Sequence, residues 1–171
     1  MKKYEFTGET KEIRLLFRTA TLHRIRATVA FGIVEVGDLG GWIEKEENLS
    51  HEGKAWVCGD AEVCGDAKVC GDAEVWGNAK VCGDAKVFSA SHVLVIGAIG
   101  SRNDFTTFYR DKDNEITVKC GCFLGKIDRF LEKVTQTHGD SKYALVYRAA
   151  VEVAKLQIDL SGEAPKDADE E

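Results

Sequence analysis

The sequence predicts a mainly β chain, built around a three-sided parallel coil and capped at both ends. Two observations predict it. A valine recurs every six residues at Val57, Val63, Val69, Val75, Val81 and Val87. An alanine sits two positions before each of them, and a Gly-Asp or Gly-Asn pair lies between most neighbours. A period of six matches neither the 3.6-residue turn of a helix nor the simple alternation of a hairpin. It matches one short strand and one corner. Three such units would close a coil and stack residues eighteen apart at about 4.8 Å.

Residues 1–32 form an N-terminal β cap in this reading. KEIRLLFRT and TLHRIRAT supply two strands joined by a short turn at Ala20. The coil occupies 33–100. Ile43 and Leu49 begin it as degenerate hexads, and a two-residue insertion around Ser50–Gly53 precedes Val57. The register continues through Val93 to Ile99, with Ser91 and Gly97 as the small residues, giving about three coils. Residues 101–160 form the second cap. Its parts are a β-hairpin with strands near 105–110 and 116–122, then two helices. The first carries Ile127, Phe130, Leu131 and Val134 at helical spacing and stops at Gly139. The second, capped by Asp140 or Ser141, carries Tyr143, Tyr147, Ala150, Ala154 and Ile158 along one face. The segment 161–171, with five acids against Lys166, is expected to be disordered.

Each hexad position has its own chemistry. Valine points inward because a β-branched side chain suits extended backbone. Alanine points inward near the corner, and glycine takes the corner where positive φ is cheap. The residue before each valine, such as Glu62, Lys68, Glu74, Lys80 or Lys86, faces solvent. The residue after it also faces outward: Cys58, Cys64, Cys70, Trp76, Cys82, Phe88 and Leu94. Stacking at eighteen residues sorts these into three columns, Cys58–Trp76–Leu94, Cys64–Cys82 and Cys70–Phe88. Apolar columns on flat faces call for cover, so Cys58, Trp76, Leu94, Cys70 and Phe88 are expected at a subunit interface.

The eight hexads resemble the hexapeptide-repeat proteins that form a left-handed parallel β-helix. The resemblance implies that fold and a homotrimer. TLHRIRA, FGIVEVGDLGGWIEKEENLS, the VxGDAxV run, IGSRNDFTTF and CGCFLGKIDRFLEKVTQTHGDSKY resemble a family of uncharacterised phage and prophage proteins over nearly the whole chain to Leu160. This implies a viral or mobile-element origin.

The chain has 171 residues, 44% of them hydrophobic, and a net charge of −6. That balance argues against a nucleic-acid polymer as partner. No apolar run is long enough for a bilayer, and the polar start argues against a signal peptide. The expected compartment is a host cytoplasm, where the six cysteines stay reduced. Consecutive hexad cysteines point about 120° apart, so they cannot share one metal. Only Cys64 and Cys82 share a column and could bridge. Cys120-Gly-Cys122 lacks two further ligands for a tetrahedral metal.

The stretch IGSRNDFTTFYR carries the candidate ligand site. Arg102, Asn103, Thr106, Thr107 and Arg110, with Lys119 on the partner strand, supply donors suited to phosphate or carboxylate. Phe105, Phe108 and Tyr109 offer stacking faces. No catalytic residue, metal or cofactor is assigned. The leading expectation is therefore a non-enzymatic, homo-oligomeric binding protein that sequesters a small anion, such as a nucleotide signal of host defence. Two alternatives stand beside it. One is a structural or protein-interaction module that binds a host or virion protein. The other is an acyltransferase of the hexapeptide-repeat type with His92 or His51 as its base, both read as surface histidines.

Overall fold

Residues 1–162 are described by the computed structural model. Strands β1 (Tyr4–Arg14) and β2 (Thr19–Ala27) form an antiparallel hairpin, and β3 (Leu39–Ile43) adds to β2 antiparallel. The connection is the Leu15–Arg18 turn, where the Leu15 N–H donates to the Arg18 carbonyl at 2.8 Å. The expected turn at Ala20 is thus displaced: Ala20 is a buried residue of β2.

The hexads follow as six two-residue strands: β4 (Trp56–Val57), β5 (Glu62–Val63), β6 (Lys68–Val69), β7 (Glu74–Val75), β8 (Lys80–Val81) and β9 (Lys86–Val87). All six valines and the alanines two before them are buried. Strands pair in parallel at eighteen-residue separation, Val57 with Val75, Val63 with Val81 and Val69 with Val87. Ile43 pairs with Val63 and Leu49 with Val69, each twenty residues apart, as a two-residue insertion between Leu49 and Val57 requires. Glycines 59, 65, 71, 77 and 83 turn the corners at φ between 59° and 68°, a region cheap only for glycine.

Beyond Val87 the period ends. Strand β10 (Val93–Ile99) is continuous, and it pairs antiparallel with β11 (Asp104–Arg110). Strand β12 (Ile116–Cys120) pairs with β11, and β13 (Phe123–Lys126) with β12. The expected hairpin is therefore two strands of a four-stranded antiparallel sheet. Val93 and Ile99 belong to that sheet rather than to the hexads, and both are only half-buried.

Helices α1 (Ile127–His138) and α2 (Lys142–Gln157) close the fold. Phe130 and Val134 meet Tyr147, Ala150, Val151, Ala154 and Ile158 over Phe108, Ile116 and Val118, which makes a second core. Gly139 ends α1 with φ at 58°. Ser141 holds the N-cap position of α2 without a side-chain capping bond. Tyr143 is exposed and Ala144 is buried in its place, because 144, 147, 151, 154 and 158 keep the three-and-four spacing of one helical face. Gly100 lies so close to Tyr147 that a Cβ there would fall 1.9 Å from the phenol oxygen.

The expected mainly β, left-handed parallel β-helix of about three coils is corrected by this architecture. The chain is a mixed α/β protein with sheets of five, four, two and two strands and two helices. The five-stranded sheet joins three antiparallel strands, β1, β2 and β3, to the two-residue rungs β5 and β8. The reason lies in strand length. A Gly-Asp or Gly-Asn corner follows almost every two-residue rung and limits each parallel pair. The longer strands at both ends then pair antiparallel and carry most of the sheet.

The boundaries 1–32, 33–100 and 101–160 remain a reading of the sequence. The expected disordered tail falls, from residue 163 on, outside the described residues. Ser161 and Gly162 are described, and their carbonyls receive bonds from Arg110.

Candidate functional site

The residues following the valines meet three different environments. Cys64 and Cys82 are buried beneath Leu15, Leu22 and Trp42 of the N-terminal strands and their turn. Phe88 is half-buried under Arg110, whose guanidinium lies 4.8 Å from the ring centroid, and packs T-shaped against His92 with ring centroids 4.3 Å apart. Cys70 shares that face and is half-buried. The third column stays open. Trp76 is 50% exposed, Cys58 and Leu94 are half-buried, and Ile33, Leu39 and Phe105 extend the apolar surface around them. Grooves of about 260 and 420 Å³ flank Trp76 on its two sides. The Trp76 Nε1–H donates to Glu74 at 2.9 Å, which satisfies its one polar atom and leaves the ring bare.

A cleft of about 530 Å³ opens elsewhere, between the tip of the β1–β2 hairpin and the β12–β13 turn. Leu15, Leu16 and Phe17 line one side, Lys119, Cys122 and Leu124 the other, and Cys64 and Cys82 lie between. Leu16 and Phe17 are strongly exposed. Two of its cations are already matched. Arg18 grips Glu44 with two bonds of 2.5 and 2.8 Å, and Lys45 reaches Asp66 at 3.1 Å. The Arg18 bonds hold the Glu44 carboxyl below its usual range.

Lys119 is different. Its Nζ donates to the main-chain oxygen of Gly121. The Arg102 guanidinium packs on the same glycine, where a Cβ would fall 2.6 Å from Nη1. Neither cation has a carboxylate partner among the described residues. Two positive charges therefore converge on the β12–β13 turn: Lys119 comes from β12 and lines the cleft, and Arg102 reaches the same glycine from the β10–β11 turn beside it.

The remaining predicted ligand residues are not brought to this place. Asn103 is exposed in the β10–β11 turn at φ 49°, and its N–H donates to the Gly100 carbonyl. Thr106 and Thr107 are buried. Thr106 donates to the Cys120 sulfur at 3.4 Å, and Thr107 Oγ1 accepts from the Lys80 N–H at 3.0 Å. Arg110 is buried too, with Nη2 donating to the Gly162 carbonyl at 2.7 Å and Nη1 to Ser161 at 3.2 Å. These three side chains join parts of the fold. Alternation along β11 sends Phe108 to the second core and Tyr109 to the hexad core, which encloses the side chains beside them.

The two candidate bases are also committed elsewhere. His92 is buried rather than on the surface, and its Nε2 lies 3.3 Å from Arg110 Nη1. Burial, aided by the Arg110 charge, lowers its pKa and keeps it neutral. His51 stacks on Tyr4 at 4.2 Å between ring centroids. No group of three or more His, Cys, Asp or Glu side chains is placed to hold a metal among the described residues.

The residues that sequence reasoning overlooked are Leu16, Phe17 and Arg18. Their signal was present: three large apolar residues and two arginines in RLLFR do not suit a solvated turn. Neither a protein-family model nor a curated protein matches the chain. No helix among the described residues is long and apolar enough to cross a membrane.

Proposed function

We propose that this chain is a non-enzymatic binding protein that takes a small amphiphilic anion in the cleft between the two turns. The observation that carries the reading is the convergence of Arg102 on Gly121 beside Lys119, which lines the cleft, with neither cation having a carboxylate partner among the described residues. Their donors suit a phosphate or carboxylate. Leu16 and Phe17 across the cleft suit an apolar or aromatic part of the same molecule, and the volume fits a small-molecule site. A nucleotide has both parts, and it agrees with the phage-like resemblance of the sequence. Calorimetry with a panel of nucleoside phosphates and cyclic nucleotides tests this. At least one member should bind the parent, and Arg102→Ala with Lys119→Ala should weaken it about 10- to 100-fold. A panel without any binder, or a double variant that binds like its parent, refutes the proposal.

The same protein works as a homo-oligomer in this reading, with the Trp76 face as subunit contact. The chain itself encloses the Cys64–Cys82 column, half-covers the Cys70–Phe88 column and leaves Trp76 as the one exposed side chain among the three, as a surface reserved for another copy would be. Three subunits is the number the sequence leads us to expect, and the bare Trp76 face is what such a contact would use. Light scattering on a sizing column should give a trimer mass for the parent and a monomer mass for Trp76→Glu. A monomeric parent would transfer the face to a host or virion partner.

A further inference from the structure

We propose that Cys64 and Cys82 are a thiol–disulfide exchange site, oxidised by a low-molecular-weight disulfide into a reversible staple across two hexad rungs. The two thiols lie 2.9 Å apart, with the Cys64 S–H donating to Cys82. They follow immediately after the paired residues Val63 and Val81. In-register parallel strands sit about 4.8 Å apart, inside the Cα separation that a disulfide spans. The backbone is therefore already placed for the bond, and only the sulfurs need to close.

The surroundings divide the labour between the thiols. The hydrogen bond from Cys64 favours the Cys82 thiolate, against the cost of burial, and the Lys119 and Lys80 charges support it. The same hydrogen bond and burial push the Cys64 thiol up. Cys82, the less buried of the two and the one that faces the cleft floor, is the attacking sulfur. Both residues lie at the floor of the 530 Å³ cleft, where Cys82 is 3% exposed and Cys64 is closed off, so a small disulfide reaches Cys82 once the exposed Leu16 and Phe17 of the hairpin tip move aside.

The step balances as follows. The Cys82 thiolate attacks one sulfur of RSSR, forms a Cys82–SR mixed disulfide and expels RS⁻, which takes up the proton that Cys82 lost. Cys64, losing its own proton, then attacks the Cys82 sulfur and expels the second RS⁻, which that proton converts to RSH. Two cysteine thiols are oxidised, and one small disulfide is reduced to two thiols.

Incubation of the reduced full chain with mixtures of oxidised and reduced glutathione, followed by alkylation under denaturing conditions, reads the outcome. Alkylated cysteines should fall from six to four, and peptide mapping should join Cys64 to Cys82. The oxidised chain should melt about 5–10 °C higher, as the unfolded state loses an eighteen-residue loop. Cys122→Ser should leave the reaction intact, whereas Cys64→Ser should stop it and leave at most a glutathione adduct on Cys82. Six alkylated cysteines at every glutathione ratio, or a bond mapped between any other pair, overturns the proposal. The map of the parent chain decides even if a variant fails to fold. None of these readouts depends on an anion binding in the cleft, so the two proposals fail separately.

Discussion

Val75→Asp should leave the protein without a cooperative unfolding transition. Val75 is fully buried and pairs with Val57 in the larger core. That core is built from apolar side chains, most of them hexad valines and alanines, so an aspartate there would be buried among groups that carry no charge. An unpaired carboxylate in such surroundings costs several kcal/mol even after its pKa rises, and the chain has only about 5–15 kcal/mol in hand. Val75→Ala grades the effect, at about 2 kcal/mol for the lost methyl groups and the cavity. Lys80→Gln, on an exposed position directly before Val81, should stay within about 0.5 kcal/mol. Circular dichroism melts of the three variants give the comparison. A Val75→Asp protein that melts like the parent would mean that the valine is not inside.

Arg110→Ala should cost about 2–4 kcal/mol, a fall in melting temperature of about 6–12 °C. The guanidinium is buried and does three things at once. It covers the Phe88 ring, it supplies donors to the Ser161 and Gly162 carbonyls, and it lies against His92. Removal strips the Phe88 ring of its cation and frees the end of the described chain. That end is otherwise held by Asn114 on the Leu160 carbonyl and by the Asp159 N–H on the Ser91 carbonyl. Hydrogen exchange should rise at residues 159–162 more than elsewhere. Arg110→Lys should recover only part of the loss, since an ammonium cannot serve two carbonyls and a ring face together. A change under 0.5 kcal/mol in Arg110→Ala would show that the segment docks without it.

The two helices and their stop at Gly139 were legible because amphipathic spacing and a left-handed glycine are local signals. The inward valines and alanines were legible for the same reason. The fold class was not. Counting hexads through Val93 and Ile99 extended the period into β10, whose partner is the antiparallel β11. A valine at the sixth position looks alike in either strand. Of the six predicted ligand residues, Arg102 and Lys119 come together at one turn, Asn103 stays in its own turn, and Thr106, Thr107 and Arg110 are enclosed. Polar side chains on a strand announce donors and acceptors, but whether water, a ligand or a carbonyl receives them depends on what packs over the strand.

By itself the sequence determined the hexad interior, because side-chain shape and glycine corners act over six residues and repeat. Tertiary structure alone decided which outward column is covered by the N-terminal turn, which by Arg110, and which is left bare at Trp76. It alone set Arg102 beside Lys119 and laid the N-terminal turn over the Cys64–Cys82 column, whose stacking the period itself had foretold. Those meetings join segments seventeen or more residues apart, and a period of six holds no information about which distant segment arrives above it.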